Sequence, residues 1–169
     1  MTESAFHFAP LGAEHHRDSF DCGEEALNRY FKTQSTQDIR RRIANCFVAL
    51  DSASDAVAGY YTIAAAGIPF VELPADESKR LPRYPTLPAV RIGRLAVDRR
   101  FQGRGLGGML LMDAMRRSMR IPPAVYAVLV DAKNDAAVAF YQRYGFLPFV
   151  SQPRTLFLPM ATTEKVLLA

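Results

Sequence analysis

The segment Val90 to Gly108, VRIGRLAVDRRFQGRGLGG, constrains this chain more than any other stretch. Val90 to Val97 is β-branched and apolar enough to read as a strand, and Asp98 followed by two arginines closes it. Glycines at 103, 105, 107 and 108 then open directly into a long helical pattern. A strand, a glycine turn and a helix gather backbone N–H groups at the positive end of the helix dipole. Glycine lets that backbone approach an anion closely and take φ > 0. The segment therefore predicts a pyrophosphate site.

Three ligand classes use such a turn, and spacing separates them. A nucleoside-triphosphate loop needs G-x-x-x-x-G-K-[ST]; Gly103 and Gly108 fit, but Met109 and Leu110 stand in place of Lys and Ser/Thr. The dinucleotide fingerprint G-x-G-x-x-G is met by Gly103, Gly105 and Gly108, with Asp131 further on. Only 61 residues follow Gly108, too few for a doubly wound sheet. The pattern [Q/R]-x-x-G-x-[G/A] is met by Gln102, Gly105 and Gly107. It is the pyrophosphate turn of the GCN5-related acetyltransferases, which this chain resembles.

The resemblance continues into the next unit. Ala124 to Ala132 reads as a buried strand, and Lys133-Asn134-Asp135 introduces a short helix, AAVAFYQRYGF, closed by Gly145. The resemblance implies acetyl-CoA as cofactor. It implies backbone contacts from Leu95, Ala96 and Val97, and a turn made of Gln102, Gly103, Arg104, Gly105, Leu106, Gly107 and Gly108. Asn134 and Ala137 are implied as further cofactor contacts, and Tyr141 as the catalytic acid near the thioester sulfur. A phenol with pKa about 10 can protonate a departing thiolate, and exposed N–H groups can polarise a thioester carbonyl.

More specifically, the chain is similar to the acetyltransferase toxins of type II toxin–antitoxin systems. The matching residues are Asp21-Cys22-Gly23, Gly59-Tyr60-Tyr61-Thr62-Ile63, Leu81-Pro82-Arg83-Tyr84-Pro85, Gly93-Arg94-Leu95-Ala96-Val97-Asp98 and Leu156-Phe157-Leu158-Pro159-Met160. That similarity implies acetylation of the α-amine of aminoacyl-tRNA, which stops translation. It implies a small ribbon-helix-helix antitoxin as partner, contact with DNA only through that antitoxin, and a homodimer. The alternative is a housekeeping N-acetyltransferase of a small amine or a protein N-terminus.

With 169 residues the chain is expected to form one domain, residues 1–169, able to bury about two thirds of its unfolded surface. The pattern predicts a strand near Phe6 to Phe8 and helix from Glu24 to Arg42 in one or two pieces. Strands follow at Asn45 to Leu50 and Val57 to Ala66, then a Pro-rich crossing segment from Ile68 to Leu87. After the strand ending at Val97 come a helix from Gly105 to about Arg120, the strand and short helix already named, and β-like runs at Phe146 to Val150 and Thr155 to Leu158. This alternation gives an α/β class. The family fold it implies is a single layered domain, whose central mixed, mostly antiparallel sheet is splayed around acetyl-CoA and flanked by helices. In the long helix, Gly108, Leu111, Met112, Met115 and Met119 form the expected core stripe, with Asp113, Arg116, Arg117 and Arg120 solvated opposite.

No apolar run approaches the ~20 residues of a membrane span, and the start, MTESAFHFAP, is no secretory signal; a cytoplasmic protein is expected. Cys22 and Cys46 lie far apart, and His7, His15 and His16 lack companions at ligand spacing, so neither a disulfide nor a metal is expected. Twenty-one Lys and Arg against 17 Asp and Glu give a net charge of +4. The excess is clustered: Arg40, Arg41 and Arg42; Lys79, Arg80 and Arg83; and Arg99, Arg100 and Arg104 at the turn. The first two clusters and Arg94 are the candidate substrate or RNA contacts. No Asp or Glu lies between Val90 and Val97 to act as a general base, though Glu72, Asp76 and Glu77 stand in the crossing segment. An α-amine near pKa 7.7–8.0 is already partly neutral where a lysine at about 10.4 is not, so the absence favours α-amine acceptors.

Overall fold

The structure is a computed structural model and describes residues 4–168. Its strands are β1 (Phe6–Pro10), β2 (Asn45–Asp51), β3 (Val57–Pro69), β4 (Thr86–Val97), β5 (Ala127–Asp131), β6 (Leu147–Pro148) and β7 (Thr155–Pro159). Its helices are α1 (Glu25–Arg29), α2 (Ser35–Arg40), α3 (Ala75–Ser78), α4 (Leu106–Arg120), α5 (Asp135–Arg143) and α6 (Met160–Leu168). The chain divides into two compact units, residues 1–64 with 93–114, and residues 65–92 with 115–169. Hydrogen-bonded strands follow the order β1-β2-β3-β4-β5-β7-β6, and β3 and β4 each run through both units.

In the first unit β1, β2 and β3 pair antiparallel. The expected helix between Glu24 and Arg42 is present in three contiguous pieces, α1, a π-helical turn at Tyr30–Gln34, and α2. The π turn carries Tyr30 and Phe31 into a core with Phe20, Cys46, Val48, Val57, Tyr60 and Ala96. Phe31 lies flat on Tyr60, ring centroids 4.3 Å apart and planes 6° from parallel, and the Tyr60 hydroxyl donates to the Leu27 carbonyl. Such ring pairs add about 1 kcal/mol beyond burial.

In the second unit β5 lies between β4 and β7, parallel to the first and antiparallel to the second. Pairing of β4 with β5 covers Ala89–Ile92, whereas β4 itself continues to Val97. Ile68, Leu73, Leu87, Ala89, Ala127, Leu129, Phe149 and Phe157 form this unit's core. The crossing segment is more ordered than its prolines imply. It holds a 3-10 turn at Phe70–Glu72 and α3, and Pro88 sits within β4. The β-like run at Phe146 to Val150 shrinks to Leu147–Pro148. Helix α6 was absent from the sequence reading, because its nine residues follow a strand without a break.

Helix α4 buries Leu106, Leu110, Leu111, Ala114, Met115 and Ser118, while Met112 is half-buried and Met119 is exposed. Leu111 and Met115 of the expected stripe are in the core, while Leu106, Leu110 and Ala114 take the places expected of Gly108, Met112 and Met119. Asp113 is half-buried and accepts a hydrogen bond from Tyr61 at 2.6 Å, so it does not belong to a solvated face. The close approach of helix to strand falls on Gly59 of β3, where a Cβ would stand 2.8 Å from the Ala96 carbonyl and 2.9 Å from Leu110.

Candidate active site

In the first unit, Asp98 ends β4 and caps the 3-10 turn Arg99–Phe101 by accepting from the Arg100 N–H. Asp and Asn favour such positions because a short acceptor reaches the free N–H two residues on. Gln102 follows in extended backbone. Gly103 and Gly105 take φ of +81° and +76°, and nothing lies within 4 Å of where a Cβ would stand on either. The left-handed backbone explains why these two positions are glycine. Helix α4 then starts at Leu106, with its first bond from Met109 N–H to the Gly105 carbonyl at 3.2 Å. The N–H groups of Leu106, Gly107 and Gly108 have no acceptor within the helix. Gln102 through Gly105 are exposed, and the Arg104 guanidinium sits 5.5 Å from the Phe101 ring beside them. Free N–H groups, open space over two glycines and adjacent cations are the donor set a pyrophosphate needs.

Gln102 has a role the sequence did not assign. Its side-chain amide donates to the carbonyls of Val97 at 2.9 Å and Cys22 at 3.2 Å. Leu95 and Val97 are half-buried and Ala96 is buried, on the part of β4 that runs past its pairing with β5. Asp98 is nearly inaccessible, at 1% exposure. Burial works to raise its pKa, but the bonds from the Arg100 side chain and from the Asp21 and Arg100 N–H groups outweigh that and hold it below the usual carboxylate value.

Arg94 projects from β4 onto Tyr30, its guanidinium carbon 3.5 Å from the ring centroid. Its backbone N–H donates to the Thr62 hydroxyl at 3.1 Å. Tyr30 donates to Asp38 at 2.7 Å, and Gln34 adds a second bond to the same carboxylate at 3.1 Å. Those two bonds hold Asp38 below its ordinary pKa, while burial, then the Asp38 bond, push the Tyr30 phenol well up. Arg94 is thus fixed by a cation–π contact to a helix the sequence had not connected to it. Arg40, Arg41 and Arg42 are exposed at the end of α2, with Arg42 at φ 60°.

The second unit holds Asn134, Ala137 and Tyr141. Asn134 caps α5, its side-chain oxygen accepting from the Ala137 N–H at 2.9 Å. The cap ties two expected cofactor contacts to each other and contributes about 1 kcal/mol to the helix. Tyr141 is buried between Phe140 and Phe146, with ring centroids at 5.1 and 5.5 Å. Burial, then the Asp131 carboxylate, push its pKa up to about 12. Its hydroxyl makes no hydrogen bond among the described residues. No fully buried side-chain polar atom there lacks a partner, so the oxygen retains access to solvent. Lys79, Arg80 and Arg83 are exposed, with Lys79 paired to Asp76 at 3.2 Å.

Of the carboxylates that the crossing segment offered as general bases, Glu72 and Glu77 are hydrogen-bonded, while Asp76 makes an exposed surface pair with Lys79. Glu72 is buried and accepts from the Ser151 N–H at 3.1 Å and from the Ser151 hydroxyl. Glu77 accepts from Tyr126 at 3.1 Å, and Asp76 has Lys79. Asp131, the acid that follows the dinucleotide-like glycines, is ion-paired with Arg91.

An α/β layer with this sheet order and a glycine turn opening a helix past the end of β4 defines an acyl-CoA-type transferase fold. The Acetyltransferase (GNAT) family model matches residues 13–146, and the chain belongs to that family. It is an acetyltransferase, with acetyl-CoA as the acyl donor. Among curated relatives, it is 30% identical over 162 residues to a "Probable toxin TacT" of Sinorhizobium fredii, covering 90% of each chain. It is 33% identical over 144 residues to a "tRNA-acetylating toxin" of Mycobacterium tuberculosis, covering 84% of each. Among solved structures it is similar to AtaT complexed with acetyl-methionyl-tRNAfMet, with TM-score 0.87, 32% identity, and coverage of 95% of this chain and 98% of that one. It is also similar to a tyrosine-to-phenylalanine variant of the AtaT toxin bound to the C-terminus of the antitoxin AtaR and acetyl-CoA. There the TM-score is 0.81 and identity 27%, over 98% of this chain and 100% of that one.

Proposed function

We propose that this acetyltransferase acetylates the α-amine of aminoacyl-tRNA, and that it acts as the toxin of a type II toxin–antitoxin pair by removing charged tRNA from translation. The observation that carries the acceptor class is the absence of an acid from the last eight residues of β4, with Glu72 and Glu77 bonded to Ser151 and Tyr126. An acceptor whose amine is already partly neutral suits such a site. The likeness to relatives that act on tRNA supports the same substrate. Residues 1–169 act as one catalytic domain, a reading supported by a family match that draws on both compact units.

Acetyl-CoA supplies an activated acetyl thioester. In this reading Gln102 to Gly108 hold its pyrophosphate through backbone N–H groups, with Arg104 adding charge. Leu95, Ala96 and Val97 offer N–H groups to the thioester carbonyl, and Asn134 and Ala137 line the pantetheine side. Tyr141 keeps its proton at every physiological pH, since its pKa lies near 12. A phenol that reluctant to ionise acts on the departing sulfur mainly as a hydrogen-bond donor, with transfer of the proton completing late. Arg40 to Arg42, Lys79, Arg80, Arg83 and Arg94 meet RNA phosphates. A small antitoxin with a ribbon-helix-helix part is the partner and carries any DNA contact, the enzyme is a homodimer, and the compartment is the cytoplasm. Among the described residues no helix is long and apolar enough to cross a membrane.

Purified protein incubated with radiolabelled acetyl-CoA and total aminoacyl-tRNA, beside deacylated tRNA, tests this. Label in the charged fraction alone is expected. No label in either, from protein that binds CoA, overturns the tRNA reading in favour of a small amine or a protein N-terminus.

A further inference from the structure

The Asp21–Gly23 loop is joined to the glycine turn by more bonds than a surface loop needs. Asp98 takes four: from Arg100 N–H at 2.9 Å, Arg100 Nε at 2.9 Å, Arg100 Nη2 at 3.2 Å, and Asp21 N–H at 3.0 Å. The loop answers with its own carbonyls. Asp21 C=O accepts from Arg99 N–H at 2.9 Å, and Cys22 C=O accepts from Gln102 Nε2 at 3.2 Å. From the other side Asn28, buried at the start of the helical segment, holds the loop twice. Its oxygen accepts from Cys22 N–H at 2.9 Å and its amide donates to the Asp21 carboxylate at 3.0 Å. Asp98 is itself anchored to β3 through its N–H to the Ala58 carbonyl at 2.8 Å.

We propose that Asp98 is a positioning residue for acetyl-CoA binding: its carboxylate latches the Asp21–Gly23 loop to the strand-to-helix turn, so that Gln102 is clamped and the N–H groups after it are aimed before the pyrophosphate arrives. The proposal rests on the acetyl-CoA reading of the turn. Gly103 and Gly105 impose little conformational preference of their own, so a turn built on them needs an external brace to be ready for its ligand. Gln102 supplies the upstream end of that brace, and half its hold is the Cys22 carbonyl. The carbonyl stays in place because Asp98 fixes the preceding N–H of Asp21. A buried carboxylate with every oxygen engaged and its countercharge two residues away costs little to keep ionised, whereas losing it leaves the Asp21 N–H without its acceptor.

The test is Asp98→Ser, whose hydroxyl can still cap the Arg100 N–H but is too short to reach Asp21. The serine gives up the Asp21 bond and both Arg100 side-chain bonds, and calorimetry should find acetyl-CoA binding weakened by at least about tenfold, the effect of the Asp21 bond alone. With the same amine acceptor, kcat/KM for S-acetylpantetheine, which lacks the pyrophosphate, should stay within about twofold of wild type. Equal losses with both donors would assign Asp98 a general folding role and overturn the proposal. If Asp98→Ser does not fold, Asn28→Ala loosens the same loop from its far side and should weaken acetyl-CoA about threefold. A folded Asn28→Ala or Asp98→Ser protein with unchanged acetyl-CoA affinity overturns the latch. Wild-type protein that binds no acetyl-CoA would instead overturn the reading of the turn, so the two failures are told apart.

Discussion

In the proposed mechanism, the glycine turn of the first unit and Tyr141 of the second handle one acyl donor in opposite ways. The turn works through backbone, is exposed, and keeps Gly103 and Gly105 clear of every neighbouring atom within 4 Å of a Cβ position. Tyr141 works through a side chain sunk among aromatic rings, with a pKa pushed up to about 12. On that proposal the contrast makes binding and chemistry separable. The turn should control affinity for acetyl-CoA, and the tyrosine should control the rate once it is bound.

The largest effect should come from Tyr141→Phe. Removing the hydroxyl leaves the ring packing with Phe140 and Phe146 intact, so kcat should fall by about 10²–10⁴-fold while acetyl-CoA affinity by calorimetry holds within about twofold. A wild-type rate from this variant would end the comparison, because no side chain would then be assigned to the chemistry. The reciprocal change is Gly105→Val. A β-branched residue at φ +76° is strained whatever the space around it. KM for acetyl-CoA should rise about 10–100-fold, from 1–3 kcal/mol of strain at the binding backbone, with kcat at saturation nearly unchanged. A drop in kcat without a rise in KM would mean that the turn does more than bind.

How far each region could be read from the sequence follows from the same contrast. The turn was legible because positive φ demands glycine, and Gly103, Gly105 and the strand before them leave a local trace. The latch behind it was not. Asp98 carries the mark of a cap, but its partner Asp21, and the Asn28 that braces the Asp21 loop, lie 77 and 70 positions earlier in the chain, and nothing local announces such a pairing. Arg94 was visible as a charge on a strand, yet its seat on Tyr30 depends on a π turn that helical periodicity does not predict. In α4 the pattern gave the element and two of its core residues, Leu111 and Met115, but misplaced the rest of the stripe. Leu106, Leu110 and Ala114 point inward, and Met119, one turn past Met115, lies 39% exposed. Apolar character alone could not say which of two overlapping stripes meets the core.

The units should also differ in alkali. Burial pushes the Cys46 thiol of the first unit from 9.0 up to about 12, and the Tyr141 phenol of the second from 10.0 up to about 12. Both folded pKa values exceed the unfolded ones, so the unfolded chain releases its proton first. The native state then binds more protons, and stability is full below pH 9 and falls as pH rises. Cys46 begins to act a unit earlier, contributing a loss of about 2 kcal/mol by pH 10.5 against under about 1 kcal/mol from Tyr141. Urea melts of Cys46→Ala should show a flatter decline between pH 9 and 10.5 than wild type. An identical slope would mean that the thiol is reached by water.

The smallest effects are expected at the exposed arginines, one cluster to each unit. Arg40 to Arg42 end a helix, and Arg80 and Arg83 belong to the crossing segment. If both clusters meet RNA phosphates, neutralising one arginine in either should weaken aminoacyl-tRNA binding at low salt and lower the slope of log affinity against log salt by about 0.7–0.9, so that the deficit against wild type shrinks about threefold for each fourfold rise in salt. Arg80→Ala and Arg41→Ala then give equal and additive losses, with acetyl-CoA affinity untouched. A loss confined to Arg41→Ala would draw the RNA onto the unit that carries the glycine turn and leave the Lys79 to Arg83 run as a solvated face. A loss confined to Arg80→Ala would place RNA contact on the unit of Tyr141, so that chemistry and acceptor recognition share one half of the chain and donor affinity belongs to the other.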